Sequence, residues 1–165
     1  MPKLKDLETV DADFVRTGPV QGSMTKLIGC TADELFRALE DEASWKKFLN
    51  IDVEWTSPKP FGVGTTRTVT ANGQIIEEYF TDFEPGRLMA FRFDRATLPV
   101  AAFAEEWKIE PKGDEVCELQ WSYAYKWGGP LEPVLSPAFN KFFKSQGKRS
   151  LDKLATLMES ENPWT

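Results

Sequence analysis

Residues 135–159, LSPAFNKFFKSQGKRSLDKLATLME, carry the pattern that decides the fold. Their apolar positions recur mostly at helical spacing and predict one long helix with a broad apolar face. These positions are Leu135, Phe139, Phe142, Phe143, Leu151, Leu154, Leu157 and Met158. Gly147 lies mid-helix, where glycine is unfavourable, and either lets another backbone come close or leaves space for a bound molecule. A helix this apolar requires a large partner surface.

The strands that precede the helix are predicted to form that surface. Alternating apolar and polar residues mark six strands, and Asn72-Gly73 between two of them is a strong hairpin signal. The six are predicted at residues 51–55, 65–71, 74–83, 88–93, 101–109 and 115–127. A further strand over 23–28 precedes two short helices, the first with a capping box at Thr31 and Glu34. Hairpin connections imply an antiparallel sheet that the long helix covers on one face.

Length and charge restrict the domain count and the class of partner. The chain has 165 residues, a formal net charge of -6 and a pI near 4.8, which predict a single domain over 1–165. The acidic balance argues against a nucleic-acid partner and against a polybasic membrane patch. No run of residues is apolar enough for a membrane span or a signal peptide, and we expect a cytoplasmic protein. Residues 1–22 are expected to form an N-terminal extension or an extra strand.

The absence of histidine restricts the chemistry. The usual catalytic triads and most zinc sites require histidine, so any reaction here must use carboxylates, Arg, Lys, Tyr, Cys or water. Cys30 and Cys117 fit neither a metal spacing nor a disulfide framework and are predicted to be small residues in or near the core. We therefore expect no metal and no cofactor.

Several stretches resemble a known superfamily. They are TADELF (31–36), GVGTTRTVT (62–70), NGQIIEE (72–78), FEPGRLMAF (83–91) and CELQWSY (117–123). Over roughly residues 23–160 the chain resembles the START-like, or SRPBCC, superfamily in its polyketide cyclase/dehydrase branch. The resemblance implies an α+β helix-grip fold, in which a curved antiparallel sheet of six to seven strands wraps around the C-terminal helix at 135–159. It also implies an internal cavity for a hydrophobic ligand.

The inward faces of the predicted strands and helix supply the candidate ligand-binding residues. These are Arg67, Tyr79, Phe91, Phe93, Phe103, Glu105, Trp107, Trp121, Tyr123, Phe139, Phe142 and Phe143. Most of them are aromatic, and either they line the implied cavity or they simply fill the core.

Two charged residues fall on the apolar faces. Arg67 lies between Thr65 and Val69, and Glu105 lies between Phe103 and Trp107. Because a buried charge is costly alone, we expect the two to pair directly or through water, unless strand ends or a β-bulge expose them to solvent. Glu77 and Glu78 cannot be assigned to a face, because Ile75-Ile76 interrupts the alternation.

Two functions follow as hypotheses. One is a START-like module that binds a small hydrophobic or aromatic molecule. The other is a polyketide cyclase or dehydratase, in which Glu105 is the general acid or base and Arg67 holds an enolate or carboxylate. A weaker third is a protein-docking role that uses the Trp164 tail. The sequence leaves open whether the protein forms a homodimer.

Overall fold

A long helix lies against an antiparallel sheet in the computed structural model, which describes residues 3–164. The strands are β1 (Lys5–Asp6), β2 (Val20–Ile28), β3 (Asp52–Trp55), β4 (Thr66–Ala71), β5 (Gln74–Glu84), β6 (Leu88–Ala96), β7 (Val100–Gly113) and β8 (Val116–Trp127). The helices are α1 (Phe14–Thr17), α2 (Ala32–Glu40), α3 (Glu42–Leu49) and α4 (Glu132–Ser160). The strand order is β2-β8-β7-β6-β5-β4-β3, and β1 pairs with β6. This arrangement confirms the predicted α+β helix-grip fold.

Several elements are longer than the sequence predicted, among them α4 and β2. Helix α4 begins at Glu132 instead of at residue 135, because Leu131 turns the chain at φ 54° and Pro133 fits the first helical turn. Strand β2 begins at Val20 instead of at residue 23, because it pairs with β8 along its whole length, from Val20 opposite Tyr125 onward.

The N-terminal segment inserts into the sheet and also covers its outer face. The Leu7 amide donates to the Asp94 carbonyl at 2.9 Å and the Glu8 amide donates to the Ala101 carbonyl at 2.8 Å, so the segment lies between the ends of β6 and β7. Helix α1 packs on β8 and β7. Of residues 1–22, which were predicted as an extension or an extra strand, the first two lie outside the described part of the chain.

The core lies between the inner face of the sheet and the helices. The predicted alternation is confirmed in β8, where Cys117, Leu119, Trp121, Tyr123, Tyr125 and Trp127 are all buried. In α4 the buried apolar residues belong to the second half, including Leu151, Leu154 and Met158. Within residues 3–164 no helix is both long and apolar enough to cross a membrane.

At Gly147, α4 lies close to side chains of the sheet. A Cβ atom there would overlap the Met24 sulfur and lie 3.2 Å from the Trp121 ring. The glycine is therefore needed for the approach of two side chains. The sequence had suggested a neighbouring backbone or a bound molecule instead.

Candidate functional site

Stacked aromatic rings fill the space between β7, β8 and the helices. Trp107 and Trp121 are direct cross-strand partners, and their rings stack with centroids 4.3 Å apart. Trp45 of α3 meets the Trp107 ring edge-on at 5.0 Å. Phe93 and Phe103 form a second parallel stack at 4.4 Å. These rings therefore pack directly against one another in the interior.

Glu105 places a carboxyl group in the middle of this aromatic interior. Its Oε1 atom accepts the indole N–H of Trp121 at 2.6 Å and that of Trp107 at 3.2 Å. Within residues 3–164 its other oxygen, Oε2, has no hydrogen-bond partner. Burial, together with the charge of nearby Glu78, raises the pKa of Glu105 to about 8. At neutral pH the group is therefore mostly an uncharged acid, with Oε1 as acceptor and Oε2 available to carry the proton.

Arg67 and Glu78 form a buried ion pair close to Glu105. Arg67 Nε donates to Glu78 Oε1 at 2.5 Å, and the two side chains are 1% and 4% exposed. Burial raises the pKa of Glu78, and the charge of Arg67 opposes that shift. Among the described residues, Arg67 Nη1 is a buried nitrogen without a hydrogen-bond partner.

Four aromatic rings surround the Arg67 guanidinium. Its Cζ lies 4.6–5.2 Å from the ring centroids of Trp45, Trp55, Phe80 and Phe91. Such rings attract a cation through their electron-rich faces, so they partly replace the water that the guanidinium loses on burial.

The pairing expected between Arg67 and Glu105 is corrected by the position of Glu78. Strand β5 pairs with β4 in unbroken register and its side chains alternate, so Ile76, Glu78 and Phe80 face inward and Glu78 lies directly opposite Arg67. Glu77 lies on the outer face, where it pairs with Arg95 at 3.3 Å. No direct Arg67–Glu105 ion pair forms among the described residues. Glu78 is thus the functional candidate that the sequence left unassigned.

Most of the predicted site residues lie on the inner face of the sheet or on the inward side of α4, and two do not. Phe91, Phe93, Phe103, Trp107, Trp121 and Tyr123 are buried on the inner face, and Phe139 and Phe143 are half-buried on α4. Tyr79 lies on the outer face with the Arg92 guanidinium 4.1 Å from its ring centre, because its neighbours Glu78 and Phe80 take the inward positions of β5. Phe142 is 64% exposed, because Phe143 next to it takes the inward position on the helix.

Two tyrosine hydroxyls hold the first half of α4 to the sheet. Tyr123 donates to the Asn140 side-chain oxygen, and Tyr125 donates to the Ser136 carbonyl at 2.9 Å. Burial raises the pKa of both tyrosines, so they stay protonated as donors. Asn140 and Ser136 were missed by the sequence analysis. The sequence feature that could have identified them is their polar character on the otherwise apolar inner face of the helix.

Three hollows described in the structure open on the surface. One of about 500 Å³ is bordered by Trp55 and Trp164, another of about 310 Å³ lies between α1 and the outer face of the sheet, and a third of about 640 Å³ lies between α3 and α4. Glu105 and the two stacked tryptophans line none of the three. None of these three surface hollows therefore leads to Glu105.

Comparison with known proteins identifies relatives of the same fold. Uncharacterized proteins of Mycobacterium tuberculosis and Mycobacterium bovis are each 40% identical to this chain over 134 residues, which cover 78% of this chain and 78% of theirs. The Zhui aromatase/cyclase from Streptomyces sp. R1128 aligns with a TM-score of 0.68 at 15% identity, over 88% of this chain and 99% of its own. The di-domain ARO/CYC BexL from the BE-7585A biosynthetic pathway aligns with a TM-score of 0.69 at 19% identity, over 85% of this chain and 46% of its own.

These similarities differ in what they establish about the chain. This chain spans about half of the BexL di-domain, and at 15–19% identity the two cyclase structures establish the fold alone. The family described as polyketide cyclase / dehydrase and lipid transport matches residues 19–159, which is most of the chain. The chain therefore belongs to the polyketide cyclase / dehydrase and lipid transport family.

Proposed function

We propose that the protein binds a small hydrophobic or aromatic molecule between the sheet and the first half of α4, with Glu105 as its polar anchor. The observation that carries the proposal is the environment of Glu105. Its carboxyl is buried among aromatic rings, and one oxygen holds two indole N–H groups while the other has no partner within residues 3–164. Apolar walls with one or two placed polar groups are characteristic of small-molecule sites.

The protonation state of Glu105 restricts the chemistry of the ligand. With a pKa of about 8, Glu105 presents an O–H donor at neutral pH. A complementary ligand carries an acceptor oxygen, such as a carbonyl or a hydroxyl, on an apolar or aromatic body. A carboxylate ligand fits less well, because Glu78 already adds a negative charge beside Glu105.

The first half of α4 is the natural entry point. Phe139 and Phe143 are half-buried there, whereas Leu151, Leu154 and Met158 fix the second half in the core. Phe143 contacts the ring of Tyr123 at 4.5 Å and that of Trp121 at 5.5 Å. Movement of this half of the helix would therefore uncover the rings around Glu105 without unpacking the core.

The second candidate is a cyclase or dehydratase reaction at the same site. Glu105 favours it, because an acid with a pKa of about 8 can give a proton to a leaving hydroxyl near neutral pH. Arg67 has one buried nitrogen, Nη1, that could bind an enolate oxygen, although its Nε is held by Glu78.

Naphthol and naphthalene test the binding proposal as matched probes. Naphthol has an oxygen that can accept from Glu105, whereas naphthalene does not, so the wild type should bind naphthol up to about tenfold more tightly in calorimetry. Glu105→Leu should remove this preference, and Glu105→Gln should keep most of it, because an amide still donates. A preference that survives Glu105→Leu would contradict Glu105 as the anchor.

Two further comparisons complete the test. Trp121→Phe removes an indole donor from Glu105 and should weaken naphthol binding, whereas Trp164→Phe, at the tail, should leave it unchanged. For any substrate that is turned over, Glu105→Gln should keep binding and lose turnover, because glutamine cannot transfer the proton. Turnover that persists in Glu105→Gln would exclude the cyclase candidate with Glu105 as acid.

A further inference from the structure

The first three turns of α4 are apolar on the side that faces solvent. Leu131 is 68% exposed, Val134 67%, Leu135 39% and Phe142 64%. Their spacing places them along one row of the helix, opposite the side that packs on the sheet. We call these four residues the outer apolar row. Further along the same face the exposed residues become polar, namely Arg149, Lys153, Thr156 and Ser160.

Positive charge flanks the outer apolar row in a chain that is acidic overall. Residues 131–149 contain Lys141, Lys144, Lys148 and Arg149 against a single carboxylate, Glu132. Among residues 3–164 none of these four cations takes part in an ion pair. Although the chain has a net charge of -6, this part of α4 has a local cationic surface. The overall charge, from which we expected no polybasic membrane patch, does not reveal it.

We propose that the outer apolar row docks on the surface of an anionic lipid bilayer. Exposed apolar side chains on a helix, flanked by lysines, are the pattern by which a helix lies in a membrane interface, with its apolar row sunk roughly 5–10 Å. Each lysine or arginine close to an anionic surface adds to the attraction. The acidic remainder of the chain orients the molecule so that α4 faces the lipid.

A second copy of the chain fits this face less well. A stable protein interface buries roughly 800 Å² per partner and involves about 20–30 residues a side. Four apolar side chains supply much less than that, and a two-fold contact through α4 would bring the lysines of the two copies near each other. A lipid surface requires no matching shape and supplies the opposite charge. The inference does not depend on a ligand in the interior.

Vesicle flotation tests the proposal with the full chain. The probes are vesicles of phosphatidylcholine alone and of roughly three parts phosphatidylcholine to one part phosphatidylglycerol. The wild type should float with the anionic vesicles and less with the neutral ones, and raising the salt from roughly 0.05 to 0.5 M should weaken binding. The double variant Val134→Ser with Phe142→Ser should bind at least about tenfold more weakly, because both side chains insert.

A matched control removes two exposed apolar residues elsewhere. Leu27 and Val116 are 58% and 38% exposed on the sheet, and Leu27→Ser with Val116→Ser should bind vesicles like the wild type. Equal losses in the two double variants, or no flotation of the wild type, would overturn the proposal. Sedimentation that shows a wild-type dimer, lost only in the Val134→Ser and Phe142→Ser variant, would overturn it in favour of a second copy.

Discussion

Replacing one member of the buried Arg67–Glu78 pair should lower the free energy of unfolding far more than replacing both members. Arg67→Met leaves the Glu78 carboxylate buried without its cation, and Glu78→Leu leaves the Arg67 charge among four aromatic rings. Loss of one partner of a buried pair costs about 3–5 kcal/mol, which is roughly 6–20 °C in Tm for a domain of this size. Arg67→Met with Glu78→Leu removes both charges and should cost less than either single change.

The two single variants should differ in how their stability depends on pH. In Arg67→Met, burial raises the pKa of Glu78 without opposition, so the folded state retains a proton that the unfolded state releases. Its penalty should therefore be largest near neutral pH and should shrink as the pH falls toward the ordinary range of a glutamate. Glu78→Leu should show no such recovery, because an arginine keeps its charge throughout this range.

Chemical denaturation at several pH values measures these free energies of unfolding. The matched control is Arg95→Met with Glu77→Leu, a pair between β5 and β6 that is 44% and 37% exposed and should couple by less than about 1 kcal/mol. Single-variant costs at Arg67 and Glu78 that add to the double-variant cost within about 0.5 kcal/mol would refute the reasoning.

Three further outcomes are expected. The stability of the wild type relative to Glu105→Gln should fall as the pH rises from about 5 to 9, because the pKa of about 8 is raised in the folded state only; a constant Tm difference would contradict this. Gly147→Ala should destabilise by about 1–3 kcal/mol in denaturation, because its Cβ meets side chains of the core, whereas Gly62→Ala, with open space around it, should be near neutral. Cys30 and Cys117 are buried, so a thiol reagent should modify them rapidly only after unfolding; fast native reaction of both would disagree.

The parts of the fold that depend on local pattern were predictable from the sequence. Asn72 and Gly73 adopt positive φ at the β4–β5 turn, as their hairpin signal requires. The inward position of Arg67 followed from strict alternation in β4, and that of Glu105 followed from alternation in β7. Each of these predictions needed only neighbouring residues.

What depends on contacts between elements was not predictable. Ile75 and Ile76 are both apolar, so the sequence did not show which of them faces the core, and only the pairing of β5 with β4 shows that Glu78 faces inward and Tyr79 outward. Phe142 matched the apolar pattern of α4, but a helix with apolar residues on all sides does not reveal which of them faces the sheet. The hydrogen bonds from two tryptophans to Glu105 likewise require three separate positions to meet.

NMR of the tryptophan indole N–H groups tests binding at Glu105 most directly. The chain has six tryptophans, and two of them, Trp107 and Trp121, donate to Glu105. A naphthol titration should shift these two signals to saturation and leave the Trp164 signal unchanged, because a ligand that accepts a hydrogen bond from the Oε2 hydroxyl polarises the carboxyl group and alters the electron density on Oε1. Shifts confined to Trp164 and Trp55, or none at Trp107 and Trp121, would contradict a ligand site in the interior.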